Sequence, residues 1–113
     1  MNNSELAKLF KEKQDEIHKS AIKKGWWNGG RRNEGELIAL IHSELSEALE
    51  ALRHGNPPDD KVPEFSGVEA ELADVIIRIM DYAGGYEYNV IDALIAKVEM
   101  NKGRSYRHGG KRL

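Results

Sequence analysis

The segment from Gly67 to Ala83 most constrains the fold. Wound as a helix, it carries Val68, Leu72, Val75, Ile76, Ile79 and Tyr82 on one side and Ala70, Ala73, Ile77 and Met80 over much of the other. Between them runs a narrow stripe of Glu71, Asp74, Arg78 and Asp81. A helix that is apolar on two sides needs neighbours on both. Its charged stripe is then expected in a groove between packed helices rather than on an open surface.

Three further segments share the helical period. Over about 5–24, Leu6, Leu9, Phe10, Ile17 and Ala21 recur at helical spacing, with Ser4 as the expected cap and Gly25 as the stop. Over about 34–54, Leu37, Ile38, Ile41, Leu45, Ala48, Leu49 and Leu52 form a broad apolar stripe, opened by Asn33 with Glu36 and closed by Gly55. The central helix is expected over about 67–83, opened by Ser66 with Glu69 and ended by Gly84-Gly85; a last one is expected over about 90–102. No segment alternates apolar and polar residues long enough for a strand. The expectation is a single all-α domain, a bundle of four main helices with a basic tail over 103–113.

Composition narrows the function classes. With 113 residues the chain fits one domain, and so small a monomer buries a limited share of its surface, so self-association is expected. The absence of cysteine excludes a disulfide framework, a zinc–thiolate site and a cysteine nucleophile, and fits a reducing cytoplasm. The first twenty residues are charged throughout, so no signal peptide is expected, and no apolar run approaches a membrane span. A net charge of −2 argues against nucleic acid as a partner of the whole chain. The basic stretch Lys102–Arg112 keeps one rival reading alive: a non-catalytic helical oligomerisation or nucleic-acid-binding module.

The chemistry concentrates in two acidic pairs. Glu44 and Glu47 are three residues apart on the second helix, and Glu71 and Asp74 are three apart on the third. Residues at that spacing share a helix face. Glu44 and Glu47 flank the apolar stripe alongside Leu40 and Ala51, whereas Ser43, Ser46 and Glu50 face away. A lone pair of this kind is usually solvated surface. Two pairs bordering apolar stripes on neighbouring helices place several carboxylates together, and Arg78 alone cannot neutralise them. All-oxygen ligands suit Mg²⁺, or Mn²⁺, rather than Zn²⁺, and Mg²⁺ favours substrates that bring phosphates. On the last helix Lys97, Asn101 and Arg104 fall on one face, where they could hold phosphate oxygens; the bland alternative is a solvated basic helix end. No Glu-x-x-His pair is present, which sets aside a di-iron bundle.

In order, Glu44-x-x-Glu47, a gap of 23 residues, Glu71-x-x-Asp74, then Lys97-x-x-x-Asn101-x-x-Arg104 and Tyr106-Arg107-His108-Gly109-Gly110 resemble the pattern of MazG-like proteins, among the all-α nucleoside triphosphate pyrophosphatases. The likeness spans roughly 34–110; it departs at Ser43, where many relatives carry an acid. The resemblance implies a homodimer or homotetramer that cleaves a nucleoside triphosphate to its monophosphate and pyrophosphate. It also implies Mg²⁺ held by Glu44, Glu47, Glu71 and Asp74, with one of them as proton acceptor, and phosphates met by Lys97, Asn101 and Arg104. Asp81 is then a supporting residue behind the ligands. Trp26 and Trp27 could stack on a base, or one or both could cap the core instead. His18 and His42 are weaker pocket candidates, while His54 and His108 are expected to be exposed.

Overall fold

Helix starts fall where a polar side chain can satisfy an orphan backbone donor. The computed structural model describes residues 1–103. Helix α1, Asn3–Lys23, follows Asn2, whose Oδ1 accepts from the Glu5 amide at 2.9 Å. The cap is therefore Asn2 rather than Ser4, and the helix starts two residues earlier than expected. Helix α2, Glu34–Arg53, follows Asn33, which accepts from the Glu36 amide at 3.0 Å. Helix α3, Gly67–Tyr86, opens with the full reciprocal box: Ser66 Oγ accepts from the Glu69 amide at 3.2 Å, and Glu69 accepts from the Ser66 amide at 2.9 Å. Helix α4, Val90–Lys102, has no side-chain cap bond; instead Asp92 in its first turn pairs with Lys11 of α1 at 2.9 Å. The expected all-helical architecture is present, and no strand forms among the described residues beyond an isolated bridge between Pro58 and Ser66.

The end of α3 corrects an expectation. Gly84 and Gly85 do not stop the helix; it runs on to Tyr86 and ends at Glu87, which takes the left-handed conformation at φ 57°. The glycines are there for close approach. A Cβ on Gly84 would stand 3.0 Å from the Cβ of His18, and one on Gly85 would overlap the six-membered ring of Trp27. Absent side chains thus let α1 and the segment after it lie directly on α3.

α3 packs against both α1 and α2, and α4 rests on α1. The buried apolar side chains are Leu37 and Ala48 of α2, Val75 and Ala83 of α3, and Ile91 of α4. Two-sided burial of α3 is met only in part, because Leu72, Ile76 and Ile77 remain 44%, 54% and 45% exposed. Exposed Ile38, Leu45, Leu49 and Leu52 on α2, with Leu94 and Val98 on α4, leave further apolar surface uncovered.

The α2–α3 connection is tightly tied. Gly55 and Asn56 both take positive φ, and Asn56 Oδ1 accepts from the Val68 amide at 2.9 Å. Asp59 and Phe65 are joined backbone to backbone at 2.9 Å, and the Asp59 carboxylate accepts from the amides of Lys61 and Val62 at 2.9 and 3.0 Å. This turn sets Lys61 beside the acidic stripe of α3. No helix among the described residues is long and apolar enough to cross a membrane.

Candidate metal centre

Packing of α2 on α3 brings three of the acids together. Ligand oxygens of Glu44, Glu71 and Asp74 all lie within 4.8 Å of one another. Opposite ligands of an octahedral Mg²⁺ sit about 4.2 Å apart, twice a bond of about 2.1 Å. Adjacent ligands sit closer, at about 3.0 Å, so the trio would draw together to share such an ion. Glu47, the fourth acid of the sequence pattern, is exposed and stays outside this set, although its charge still reaches Glu71.

The electrostatics agree with crowding. Desolvation is the largest influence on Glu71 and raises its pKa; the charges of Asp74 and Glu44, a shared hydrogen bond with Glu44 and the charge of Glu47 push the same way. Asp74 is also raised, first by desolvation and then by Glu44, with Arg78 and Lys61 opposing. Arg78 Nε donates to Glu44 Oε1 at 2.6 Å, and the Glu44 side chain is only 14% exposed. One guanidinium thus serves one carboxylate directly and leaves Glu71 and Asp74 undercompensated.

Beside the trio lies a cleft of about 500 Å³, whose lining includes Glu44, Asp74, Arg78 and Asp81, Lys24 and Trp26 from the end of α1 and the segment after it, Arg32, and Lys61. A neighbouring hollow of about 770 Å³ runs under the α2–α3 turn past Glu69 and Glu71, and the two share Lys61, Asp74 and Ile77. The acidic trio therefore sits where both open.

The two tryptophans divide their roles. Trp27 is structural: its Nε1–H donates to Asp81 Oδ1 at 3.0 Å, and its ring meets His18 edge-on at 5.1 Å. His18 Nδ1 lies 2.7 Å from the same Asp81 oxygen. Asp81 accordingly anchors His18 and Trp27 to α3. Trp26 is 56% exposed and lines the cleft. The Arg32 guanidinium lies over both indoles, 5.8 Å from Trp26 and 5.7 Å from Trp27, and its carbonyl accepts from the Tyr86 hydroxyl.

At the far end of α3, Tyr82 and Tyr88 both donate to Glu34 Oε1, at 2.7 and 2.6 Å. These bonds, Tyr88 first, hold the Glu34 pKa below its ordinary value and push Tyr82 up to about 12. Lys97 and Asn101 of α4 are exposed and line neither hollow. Arg104, the Tyr106–Gly110 element, His108 and the rest of the basic tail lie outside the described residues. His42 and His54 are exposed on α2 and at its end. Sequence reasoning missed Lys24, Arg32 and Lys61, which come from a helix end and two connections where no periodicity points to a shared cleft. No protein-family model matches the chain, and the comparisons with curated proteins and with solved structures gave no match either.

Proposed function

We propose that the protein is a Mg²⁺-dependent, MazG-like nucleoside triphosphate pyrophosphohydrolase that converts a nucleotide and water to the monophosphate and pyrophosphate. The observation that carries this reading is the convergence of Glu44, Glu71 and Asp74 oxygens within 4.8 Å, in a cleft that also offers cations and an exposed indole. A divalent ion held there supplies charge for phosphate oxygens and makes a bound water more acidic. Mn²⁺ satisfies the same oxygen ligands. The chain's own part is to hold carboxylates close enough to take a proton from the attacking water, with Glu47 on the solvent side of the trio as the further acid. Trp26 offers a face to the base. Lys97, Asn101 and Arg104 enter this reading through the family resemblance.

A homo-oligomer, dimer or tetramer, belongs to the same proposal. It is supported by the half-exposed Leu72 and Ile76 of α3 and by Leu45, Leu49 and Leu52 of α2, more apolar surface than a helix pair normally leaves to water. A cytoplasmic location goes with it.

The test is a panel of nucleoside triphosphates with Mg²⁺ or with EDTA, reading monophosphate and pyrophosphate. Metal-dependent release of pyrophosphate is expected. Release of inorganic phosphate and a diphosphate, or turnover indifferent to EDTA, overturns the proposal.

A further inference from the structure

We infer that the phosphate chain of the substrate is gripped by Lys24, Arg32 and Lys61 of the same protomer that supplies the acidic trio. All three line the cleft that contains Glu44 and Asp74. Among the described residues none of them forms an ion pair with a carboxylate; Lys8, Lys19, Lys23, Arg31 and Lys97 form none either, but do not line this cleft. The cleft and its edge thus hold two unsatisfied populations at once: carboxylate oxygens of Glu44, Glu71 and Asp74 crowded within 4.8 Å of one another, and cations without an acid. Simple pairing between them would relieve both, and in this fold it does not occur beyond Arg78–Glu44. A ligand that carries a divalent ion toward the acids and several negative oxygens toward the cations relieves both together. A metal–polyphosphate is such a ligand.

Each cation is set by its own local structure. Lys24 is the C-terminal cap of α1, its amide bonded to Ser20 and Ile22 carbonyls. Arg32 is held by the two indoles and by the Tyr86 bond to its carbonyl. Arg32 lines the cleft, and a planar guanidinium there can meet two phosphate oxygens at once. Lys61 is fixed by the Asp59 turn and stands where the two hollows meet, close enough to Asp74 for its charge to be felt there. Lys97 and Asn101, by contrast, line neither hollow.

The inference takes the identity of its ligand from the proposed function, so the test separates the two. Calorimetric titration of the full chain with inorganic tripolyphosphate and Mg²⁺ needs no knowledge of the base. Lys24→Gln, Arg32→Gln and Lys61→Gln are each expected to weaken binding about tenfold, the low end for a charge-assisted bond. Lys19→Gln, an exposed α1 charge outside the cleft, controls for net charge and should bind as the natural chain does. If Arg32→Gln loses helical circular dichroism, the two lysine variants decide, since both sites are exposed. Unchanged affinity in all three, or no binding by the natural chain, overturns the inference. Nucleotide cleavage to pyrophosphate with KM untouched by the three changes sinks it while leaving the proposed function intact. Tripolyphosphate binding that these changes weaken, without cleavage of any nucleotide, supports the inference and ends the hydrolase reading.

Discussion

Glu34 and Glu71 are both partly buried glutamates on neighbouring helices, and they titrate in opposite directions. Glu34 receives two phenolic hydroxyls, and its charged form is stabilised. Glu71 has no such donor among the described residues; it faces Glu44 and Asp74, and its charged form is disfavoured. Burial alone therefore does not mark a working carboxylate. What separates the two is whether the fold completes the interaction itself. At Glu34 it does, so the residue is structural. At Glu71 it does not, and the carboxylate is left facing other acids.

The sharpest way to break this contrast is to neutralise the incomplete side. Glu71→Gln should lower pyrophosphate release about a thousandfold, as expected for several kcal/mol of lost transition-state stabilisation. Its thermal midpoint should not fall, because the change removes a repelled charge rather than a satisfied one. Turnover near that of the natural chain would remove Glu71 from the centre. A large drop in midpoint would mean that its carboxylate is held by something other than its acidic neighbours.

Next in size is the packing that carries the completed side. Gly85→Ala places a methyl group into the Trp27 ring, and Trp27 in turn anchors Asp81. Overpacking of this kind costs about 1–3 kcal/mol, read as a lower urea midpoint. Gly84→Ala, whose Cβ meets the His18 Cβ at 3.0 Å, should cost less. A Gly85→Ala chain as stable as the natural one would show that Trp27 can leave its place at little cost.

These glycines also show where sequence reading reaches its limit. The period of Val68, Leu72, Val75 and Ile79, and the Ser66–Glu69 box, are local features, so the presence and start of α3 were legible. So was the sharing of a face by Glu71 and Asp74, which is a property of one helix. Gly84-Gly85 was legible as a special backbone site but read as a stop. Its true role depends on Trp27, nearly sixty positions away, and local rules carry no such distance. The same limit explains why Glu47 was grouped equally with Glu44. Both flank the same stripe, but only the crossing of α2 on α3 decides which of them meets Glu71 and Asp74. Trp26 and Trp27 are adjacent and chemically identical, and only the position of Asp81 separates them. Arg32 and Lys61 lie in connections, where charge alone gives no direction.

Metal addition should shrink the contrast by a middling amount. Mg²⁺ at ten times its dissociation constant stabilises the folded chain by about 1.4 kcal/mol, and for a domain of this size that is roughly 4–8 °C in midpoint. The Glu71→Gln and Asp74→Asn variants should lose the shift, whereas Glu34→Gln should keep it. A shift of equal size in all three would assign Mg²⁺ to some other place on the surface.

The smallest effect is the most discriminating, because its sign is fixed on both sides. Glu34 has a depressed pKa, so its contribution is present above the ordinary carboxylate value of about 4.3 and is lost as pH falls through the depressed one. Glu71 and Asp74 have raised values, so what they contribute is present below the ordinary values and is lost as pH rises through the raised ones. Metal-free urea midpoints measured across the carboxylate range should therefore diverge. Glu34→Gln should fall furthest behind the natural chain at the alkaline end and approach it on acidification. Glu71→Gln should gain on the natural chain as pH rises. Both variants drifting the same way would mean that the two glutamates share one kind of environment, and the division between a completed and an incomplete carboxylate would no longer hold.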